Sequence, residues 1–339
     1  MKIKFWGVRG SVPCPPMGEE IRAKILAALK LWSQNNYPDP ESFLDSLPPW
    51  RTGLVGGNTI CLEISDDQDF LIFDAGTGLR SLGQTLISST VYELLEQFIT
   101  SENLPILSSP QMEDVPSQLF KLFMTHTHWD HIQGFPFFRP AYAPSCQIDI
   151  YGANKDELKA AFETQQSAPH LFPVPIEFMR AKITFHDFPK KGLKIGQFFI
   201  DSFPLPHPGG SLAFRIKRRD KKVVFATDYE IQKLDASPIH GRLELAEFVA
   251  GADLFISDTQ YTYLDHATKE GWGHSNALSV VEMAAQAGVK SLYLFHHDPT
   301  YSDDKLLDIL DKTRSYANLF QKEKAMAIEL AMEGATIEL

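Results

Sequence analysis

Short apolar runs alternate with amphipathic stretches along most of the chain, and this pattern predicts an α/β protein. Near the start, Ile3 and Phe5 face one side of an extended segment while Lys2 and Lys4 face the other. The run at 119–125 is nearly all apolar, as expected of a strand that is buried on both faces. Further strands are predicted at 59–65, 70–74, 148–151, 198–203, 212–216, 223–226, 254–257 and 292–295.

Helices are predicted between these strands, where apolar residues recur at helical spacing. One covers 155–164 and places Leu158 and Phe162 on a common face. Another begins near Asn276. A third begins after Ser302, with two acidic residues that suit the positive end of a helix dipole. The interleaving of helices and strands favours a layered α/β architecture over separate all-α and all-β units.

The chain closes with a predicted hairpin of 327–331 and 336–339, turned around Gly334. Two stretches interrupt the regular order and look like insertions, which commonly shape access to a site. The first, 15–51, holds an amphipathic helix and then a loop rich in Pro, Asn and Asp. The second, 83–116, holds a second helix and a polar linker. Neither is long enough to separate two domains, so one domain over 1–339 is predicted.

The composition is globular, with 44% hydrophobic and 22% charged residues among 339. No apolar run reaches the roughly 18 residues of a membrane helix, and the N-terminus lacks the apolar block of a signal peptide. We therefore expect a cytoplasmic protein without a membrane partner. Cys14, Cys61 and Cys146 are too few and too scattered for a disulfide framework or a thiolate metal site.

The formal net charge of −11 argues mildly for a small substrate, because proteins that hold long nucleic acids usually carry basic patches. The densest basic cluster, at 217–222, is interpreted as a solvated hairpin turn. RNA is not excluded by the charge, since bound metal ions can make a local site positive.

The strongest chemical signal is the segment 126–131, which directly follows a predicted buried strand. It contains four side chains that can bind metal: His126, His128, Asp130 and His131. Alternation along an extended chain directs His126 and His128 to the same side. Imidazole and carboxylate groups together suit Zn²⁺, Mn²⁺ or iron. Three histidines and an aspartate at this spacing are far more typical of a metal site than of structural residues.

Three more candidate ligands follow predicted strands, where α/β proteins commonly place their sites. They are His207, Asp228 and His296. Each alone has an ordinary structural explanation. Together with the segment 126–131 they supply enough ligands for two metal ions.

These residues, in this order, resemble the metallo-β-lactamase superfamily, and the resemblance extends over essentially the whole chain. It implies a four-layer αββα sandwich. It also implies that His126, His128 and His207 bind one of two divalent metal ions, while Asp130, His131 and His296 bind the other and Asp228 bridges them. Zinc is the first choice of metal, with Mn or Fe as alternatives. His297 competes with its neighbour, but His296 holds the family position directly after the strand.

The bridging aspartate and the sequence Gly273-His274-Ser275 resemble tRNA 3′-processing endonucleases (tRNase Z) and related cyclic-phosphate phosphodiesterases. Lactamases of this fold commonly use a cysteine where Asp228 stands. The resemblance implies that His274 helps to protonate the leaving oxygen and that Asp258 orients it. The tRNA enzymes usually carry glutamate at the position of Asp258, so the aspartate is a departure. Asp130 would also accept a hydrogen bond from the nucleophile.

The sequence therefore predicts a phosphodiesterase that acts on a small, cyclic or linear, nucleotide or related diester through a hydroxide bridging two metals. Trp32, Phe43 and Trp50 in the first insertion suggest a lid over a small ligand. The alternatives are a thioester or lactone hydrolase of the glyoxalase or lactonase type, and an RNA-processing endonuclease. A non-catalytic metal-bearing sensor is a further alternative, and an iron-dependent redox protein normally needs a fused flavin domain. The oligomeric state is left open, a homodimer included.

Overall fold

The computed structural model describes residues 1–35, 37–86, 117–167, 170–231, 241–320 and 325–339. Within them, the chain forms two seven-stranded sheets that pack face to face, with helices on the outer faces. Separate apolar clusters fill the space between the two sheets and the space between each sheet and its helices. The predicted αββα sandwich is therefore confirmed.

The first sheet has the order β14-β1-β2-β3-β4-β5-β6, and its strands from β3 to β6 are parallel. Its strands are β1 (Lys2–Gly7), β2 (Cys61–Ser65), β3 (Phe70–Phe73), β4 (Gln118–Phe123), β5 (Cys146–Gly152), β6 (Lys182–Asp187) and β14 (Thr336–Glu338).

The second sheet has the order β13-β12-β11-β10-β9-β8-β7, and its strands from β10 to β13 are parallel. Its strands are β7 (Leu193–Ile195), β8 (Phe198–Leu205), β9 (Ser211–Arg218), β10 (Lys221–Ala226), β11 (Leu254–Asp258), β12 (Ser291–Phe295) and β13 (Ala327–Leu330).

Helices follow the strands as the periodicity predicts. Those described are α1 (Gly18–Gln34), α2 (Pro40–Ser46), α3 (Pro49–Thr52), α4 (Gly78–Leu86), α5 (Trp129–Ile132), α6 (Lys155–Gln165), α7 (Arg242–Val249), α8 (Tyr263–Thr268), α9 (Ala277–Gln286) and α10 (Asp303–Ala317). Short 3₁₀ turns lie at Phe135–Phe137, Arg139–Tyr142 and Ile176–Phe178. None of the described helices combines the length and apolar character needed to cross a bilayer.

Aromatic packing joins the two sheets at the centre of the molecule. The ring of Phe73 on β3 lies 5.2 Å from that of Phe123 on β4 and 5.6 Å from that of Phe214 on β9, across the sandwich. Aromatic pairs at such distances contribute beyond their buried area. This core holds the ends of strands from both sheets in fixed relative positions.

The predicted C-terminal hairpin is wrong. Strand β13 pairs parallel with β12 in the second sheet, whereas β14 pairs antiparallel with β1 in the first. The amide of Gly334 donates to the carbonyl of Phe5 at 2.8 Å, so the turn carries the chain from one sheet to the other. Two apolar runs around a glycine indicate a turn. They do not show that each run pairs with a strand distant in sequence.

The first insertion is more helical than predicted. The segment expected to be a Pro- and Asp-rich loop contains α2 and α3. Asp39 caps α2 by accepting a hydrogen bond from the Ser42 amide, and Pro40 occupies the first helical position, where its missing N–H costs nothing. Trp32 packs edge-on against Phe43, which is 4% exposed, so these rings stabilise the insertion itself.

In the second predicted insertion, 83–86 form the end of α4. The helix and linker predicted at 87–116 lie outside the described residues. The assignment of 1–339 to a single domain stays a prediction. The basic cluster at 217–222 does form the β9–β10 hairpin, with Arg219 in the left-handed backbone region at its turn.

Candidate metal centre

The predicted metal-binding residues follow the ends of strands in both sheets. His126 lies three residues beyond β4 of the first sheet. His207, Asp228 and His296 lie one or two residues beyond β8, β10 and β12 of the second sheet. Because these strand ends meet at one edge of the sandwich, residues far apart in sequence come together there.

The first group of donor atoms belongs to His126, His128, His207 and Asp228, and all of them lie within 4.8 Å of one another. His128 Nδ1 and His207 Nε2 are 3.0 Å apart. Oδ2 of Asp228 lies 3.8 Å from Nε2 of His126 and 3.8 Å from Nε2 of His207. These include the three histidines that the family resemblance assigns to one metal ion.

The second group comprises Asp130, His131 and His296, again within 4.8 Å of one another. Oδ1 of Asp228 lies 3.2 Å from Nε2 of His131 and 3.3 Å from Nε2 of His296. One oxygen of Asp228 therefore faces each group. This is the arrangement that a bridging carboxylate requires.

The unpaired atoms of this cluster fit a bound cation. Nε2 of His126, Nε2 of His131 and both ring nitrogens of His296 are buried without a hydrogen-bond partner in the described structure. Buried polar atoms without a partner are costly, so this cluster of them fits the coordination of a cation. Nitrogen and carboxylate oxygen donors suit Zn²⁺, Mn²⁺ or iron.

The charge distribution also suits a cation. Burial lowers the pKa of His126 well below its usual value and lowers the pKa of His207 to about 4, which keeps both rings in the neutral, metal-binding form. For His131, burial acts in the same direction, but the carboxylates of Asp228 and Asp130 outweigh it and raise the pKa of His131. The carboxylates thus favour positive charge within the second group.

Three contacts behind the donors fix their orientation. Asp74, at the end of β3, contacts Nδ1 of His131 at 2.9 Å and so directs Nε2 toward the cluster. The carbonyl of Gly273 contacts Nδ1 of His207 at 2.9 Å. The amide of Ser11 donates to Oδ2 of Asp130 at 2.7 Å.

The orienting role of Asp74 was not predicted from the sequence. Its side chain is fully buried and also accepts hydrogen bonds from the amide and hydroxyl of Thr125. The signal that could have revealed this role is the position of Asp74 directly after β3. This strand is parallel and adjacent to β4, which leads into 126–131.

Backbone strain is concentrated at this site. Five described residues other than glycine have left-handed φ angles, and four of them belong to the site: Ser11 (64°), Asp74 (58°), Asp228 (57°) and His296 (63°). This conformation is unfavourable for residues with a Cβ and is typically retained where function requires it. At Asp74, Asp228 and His296 it occurs just where a strand ends and the side chain must turn toward the cluster.

His274 lies beside both groups, as predicted, and its ring stacks on that of His296 with centroids 4.9 Å apart. Nδ1 of His274 contacts Oδ2 of Asp258 at 2.7 Å. Asp258 is held in turn by the amides of Asp228 and Gln260. Burial disfavours the charged imidazole, but the Asp258 carboxylate and its neighbours outweigh this effect and raise the pKa of His274 to about 9. The shorter aspartate therefore still reaches the histidine.

His297 does not belong to either group. Its Nε2 contacts the carbonyl of Ala331 at 2.9 Å, and burial lowers its pKa to about 3. The geometry thus brings His296, rather than its neighbour, to the cluster.

Comparison with known proteins agrees with this geometry. Residues 71–297 match the family described as the beta-lactamase superfamily domain. The chain belongs to the metallo-β-lactamase superfamily. The predicted membership, and with it the prediction of a hydrolase of the tRNase Z-like branch, is confirmed. Membership in this superfamily implies divalent metal ions.

Relatives within the superfamily place the chain near one branch. A ribonuclease Z from Exiguobacterium sibiricum is 27% identical over 231 residues, covering 56% of this chain and 75% of the relative. A ribonuclease Z from Acaryochloris marina is 22% identical over 293 residues, covering 72% and 81%. The crystal structure of a diphosphatase from the PhnP family has the same fold, with a TM-score of 0.56, 15% identity and coverage of 100% of this chain and 97% of that one.

Proposed function

We propose that this protein is a phosphodiester hydrolase with two divalent metal ions, zinc first among them. In this proposal His126, His128 and His207 hold one ion, Asp130, His131 and His296 hold the other, and Asp228 bridges both. The placement of the two Asp228 oxygens toward separate donor groups supports this assignment. When bound, two such ions supply Lewis-acid activation of water and neutralise the charge of phosphoryl oxygens.

The observation that carries the choice of reaction is the His274–Asp258 pair. Nδ1 of His274 is hydrogen-bonded to Oδ2 of Asp258, so Nε2 is the ring atom that remains available to a substrate. A histidine held in this way beside the metal groups can donate a proton to a departing alkoxide oxygen. Asp130, fixed by the Ser11 amide through one oxygen, can accept a hydrogen bond from the attacking water.

A small nucleotide or related diester, cyclic or linear, is the favoured substrate class. The net charge of −11 supports this choice, and the second insertion at 83–116 contains no lysine or arginine with which to hold a long RNA. The ribonuclease Z relatives favour a second candidate, an RNA-processing endonuclease. A precursor tRNA with a 3′ extension, assayed beside cyclic and linear nucleotides, discriminates between the two.

The proposal is tested by hydrolysis of bis(p-nitrophenyl) phosphate, a thioester and a lactone by zinc-reconstituted protein. We expect preferential cleavage of the diester. His274→Ala should lower kcat by about 10²- to 10⁴-fold, the usual range for a general acid, without changing the metal content. His186→Ala is the matched control, because His186 also pairs with an aspartate, Asp149, at 3.4 Å on neighbouring strands of the first sheet.

Two outcomes would contradict the proposal. Turnover of only the thioester or the lactone would instead support the glyoxalase or lactonase alternative. Equal loss of activity in His274→Ala and His186→Ala would show that the first variant acts through general destabilisation rather than through a lost proton donor.

A further inference from the structure

The metal cluster has an open side at His128. Of the seven candidate ligands, His128 alone has an exposed residue surface, while Asp130, His131, Asp228 and His296 are buried. His128 Nδ1 lies 3.0 Å from Nε2 of His207, whose side chain is only 2% exposed, so His128 is the side from which solvent reaches these two rings.

Two tryptophans lie next to His128 and Gly273 in the sequence. Trp129 follows His128 directly. Trp272 precedes Gly273, whose carbonyl contacts the ring of His207. Their exposed fractions are 63% and 62%, although tryptophan is highly buried on average in folded proteins. Within the described residues, neither indole has a hydrogen-bond or ring-stacking partner.

The backbone that carries each tryptophan is firmly held. Around Trp272, the Gly271 amide donates to the buried carboxylate of Glu230 at 2.9 Å, and the Trp272 amide donates to the carbonyl of Lys269 at 3.1 Å. Around Trp129, the helix α5 begins at the tryptophan and continues with buried residues. The two indoles are therefore presented on fixed supports. They are not exposed through fraying of a loose loop.

We propose that Trp129 and Trp272 form an aromatic rim that stacks on a nucleobase of the substrate while its phosphate lies at the metal groups. The inference rests on the proposed function and narrows its substrate class to nucleotide diesters. An exposed indole offers a large, rigid apolar face, and every base has a π-face on which it can stack. A diester with only aliphatic groups would leave both faces in water.

The test uses zinc-loaded full-length protein and calorimetric binding of adenosine 5′-monophosphate and ribose 5-phosphate. These ligands share the sugar and the phosphate and differ only in the base. We expect the nucleotide to bind wild-type protein at least about fivefold more tightly, the lower end of the effect of one stacked base. Trp129→Ala and Trp272→Ala should remove most of that preference, and Trp129→Phe and Trp272→Phe should retain most of it. Leu319→Ala, which changes another apolar side chain that is 76% exposed, is the control and should leave the preference unchanged.

Equal affinities for the two ligands in wild-type protein would overturn the proposal of an aromatic rim. An unchanged preference for the nucleotide in both alanine variants would overturn it as well. Hydrolysis of bis(p-nitrophenyl) phosphate, measured in parallel, tests the proposed function separately from the rim. Diester hydrolysis without base preference contradicts the rim alone. Base-dependent binding that is lost in the alanine variants, without hydrolysis, supports the rim and contradicts the proposed function.

Discussion

The carboxylate of Asp74 acts on the cluster through His131, which it contacts at 2.9 Å. Asp74→Asn keeps the shape of the side chain but removes the charge that stabilises the ring orientation. We expect zinc affinity to fall about 10- to 100-fold, the usual effect of losing such a partner. Competition with a chromogenic chelator measures it. Asp149→Asn, which removes the carboxylate beside His186, is the control, and an equal loss in that variant would refute a specific role for Asp74.

Gly273 leaves room for the ring of His207, and this steric effect can be measured separately from the effect of its left-handed backbone. Its φ is +86°, and a Cβ there would lie 2.3 Å from Nδ1 of His207. Gly271 has the same φ of +86°, but a Cβ there would meet nothing within 4 Å. Both alanine variants should therefore be destabilised by the strain of a left-handed residue. Only Gly273→Ala should also displace His207 and lower zinc affinity. Chelator competition on both variants checks this, and equal affinities would contradict it.

At this scale, the sequence predicts donors better than the groups that hold them. The spacing within 126–131 reveals four metal-binding side chains, because they are adjacent in the chain. Asp74 contacts His131, and Ser11 contacts Asp130, in each case from a distant segment of the chain. Only the packing of the sheets creates these contacts. For Asp74 the one local signal is its position directly after a predicted strand, and Ser11 carries no such signal.

Among the elements, α1 is anchored through the side chain of Lys24. None of its residues is buried. Nζ of Lys24 contacts the carbonyl of Trp50 at 2.8 Å and the carboxylate of Asp303 at 2.5 Å. Lys24→Ala should lower the free energy of local opening by about 2 kcal/mol, the range for hydrogen bonds to charged groups. Hydrogen–deuterium exchange of α1 measures the change. Lys30→Ala, on the same helix, is the control, and unchanged exchange in Lys24→Ala would contradict this anchoring.

Strand and helix positions follow from local periodicity, whereas pairing between strands does not. The runs that became β10, β11 and β12 were identified within two residues of their observed ends. The error at β13 and β14 arose because a hairpin and a crossing between sheets share the same apolar–glycine–apolar pattern. Strands β6 and β7 were not predicted; β6 has six residues, whereas β7 has only three, too few for a periodic signal.

Across the whole molecule, the candidate ligands are divided between the sheets. Four follow a strand of the first sheet and three follow strands of the second. Metal binding should therefore stabilise the packing of one sheet on the other. Ligand present at about 1,000 times its dissociation constant adds about 4 kcal/mol to the free energy of unfolding, which should raise Tm by about 5 °C or more.

Calorimetry of chelator-treated protein, before and after addition of zinc, measures this shift without any assay of activity. Calcium serves as the control cation, because it prefers all-oxygen ligands and should bind this histidine-rich site poorly. A Tm that does not respond to zinc would contradict the assignment of the metal ligands.

The left-handed backbone at Asp74, Asp228 and His296 also bears on how such a protein tolerates change. Glycine relieves this conformation, and at His296 it also removes two buried ring nitrogens that have no hydrogen-bond partner. Selection for thermal stability in the absence of metal should therefore enrich replacements of His296. The same replacements would remove a proposed metal ligand, so stability and metal binding are in direct opposition at the end of β12.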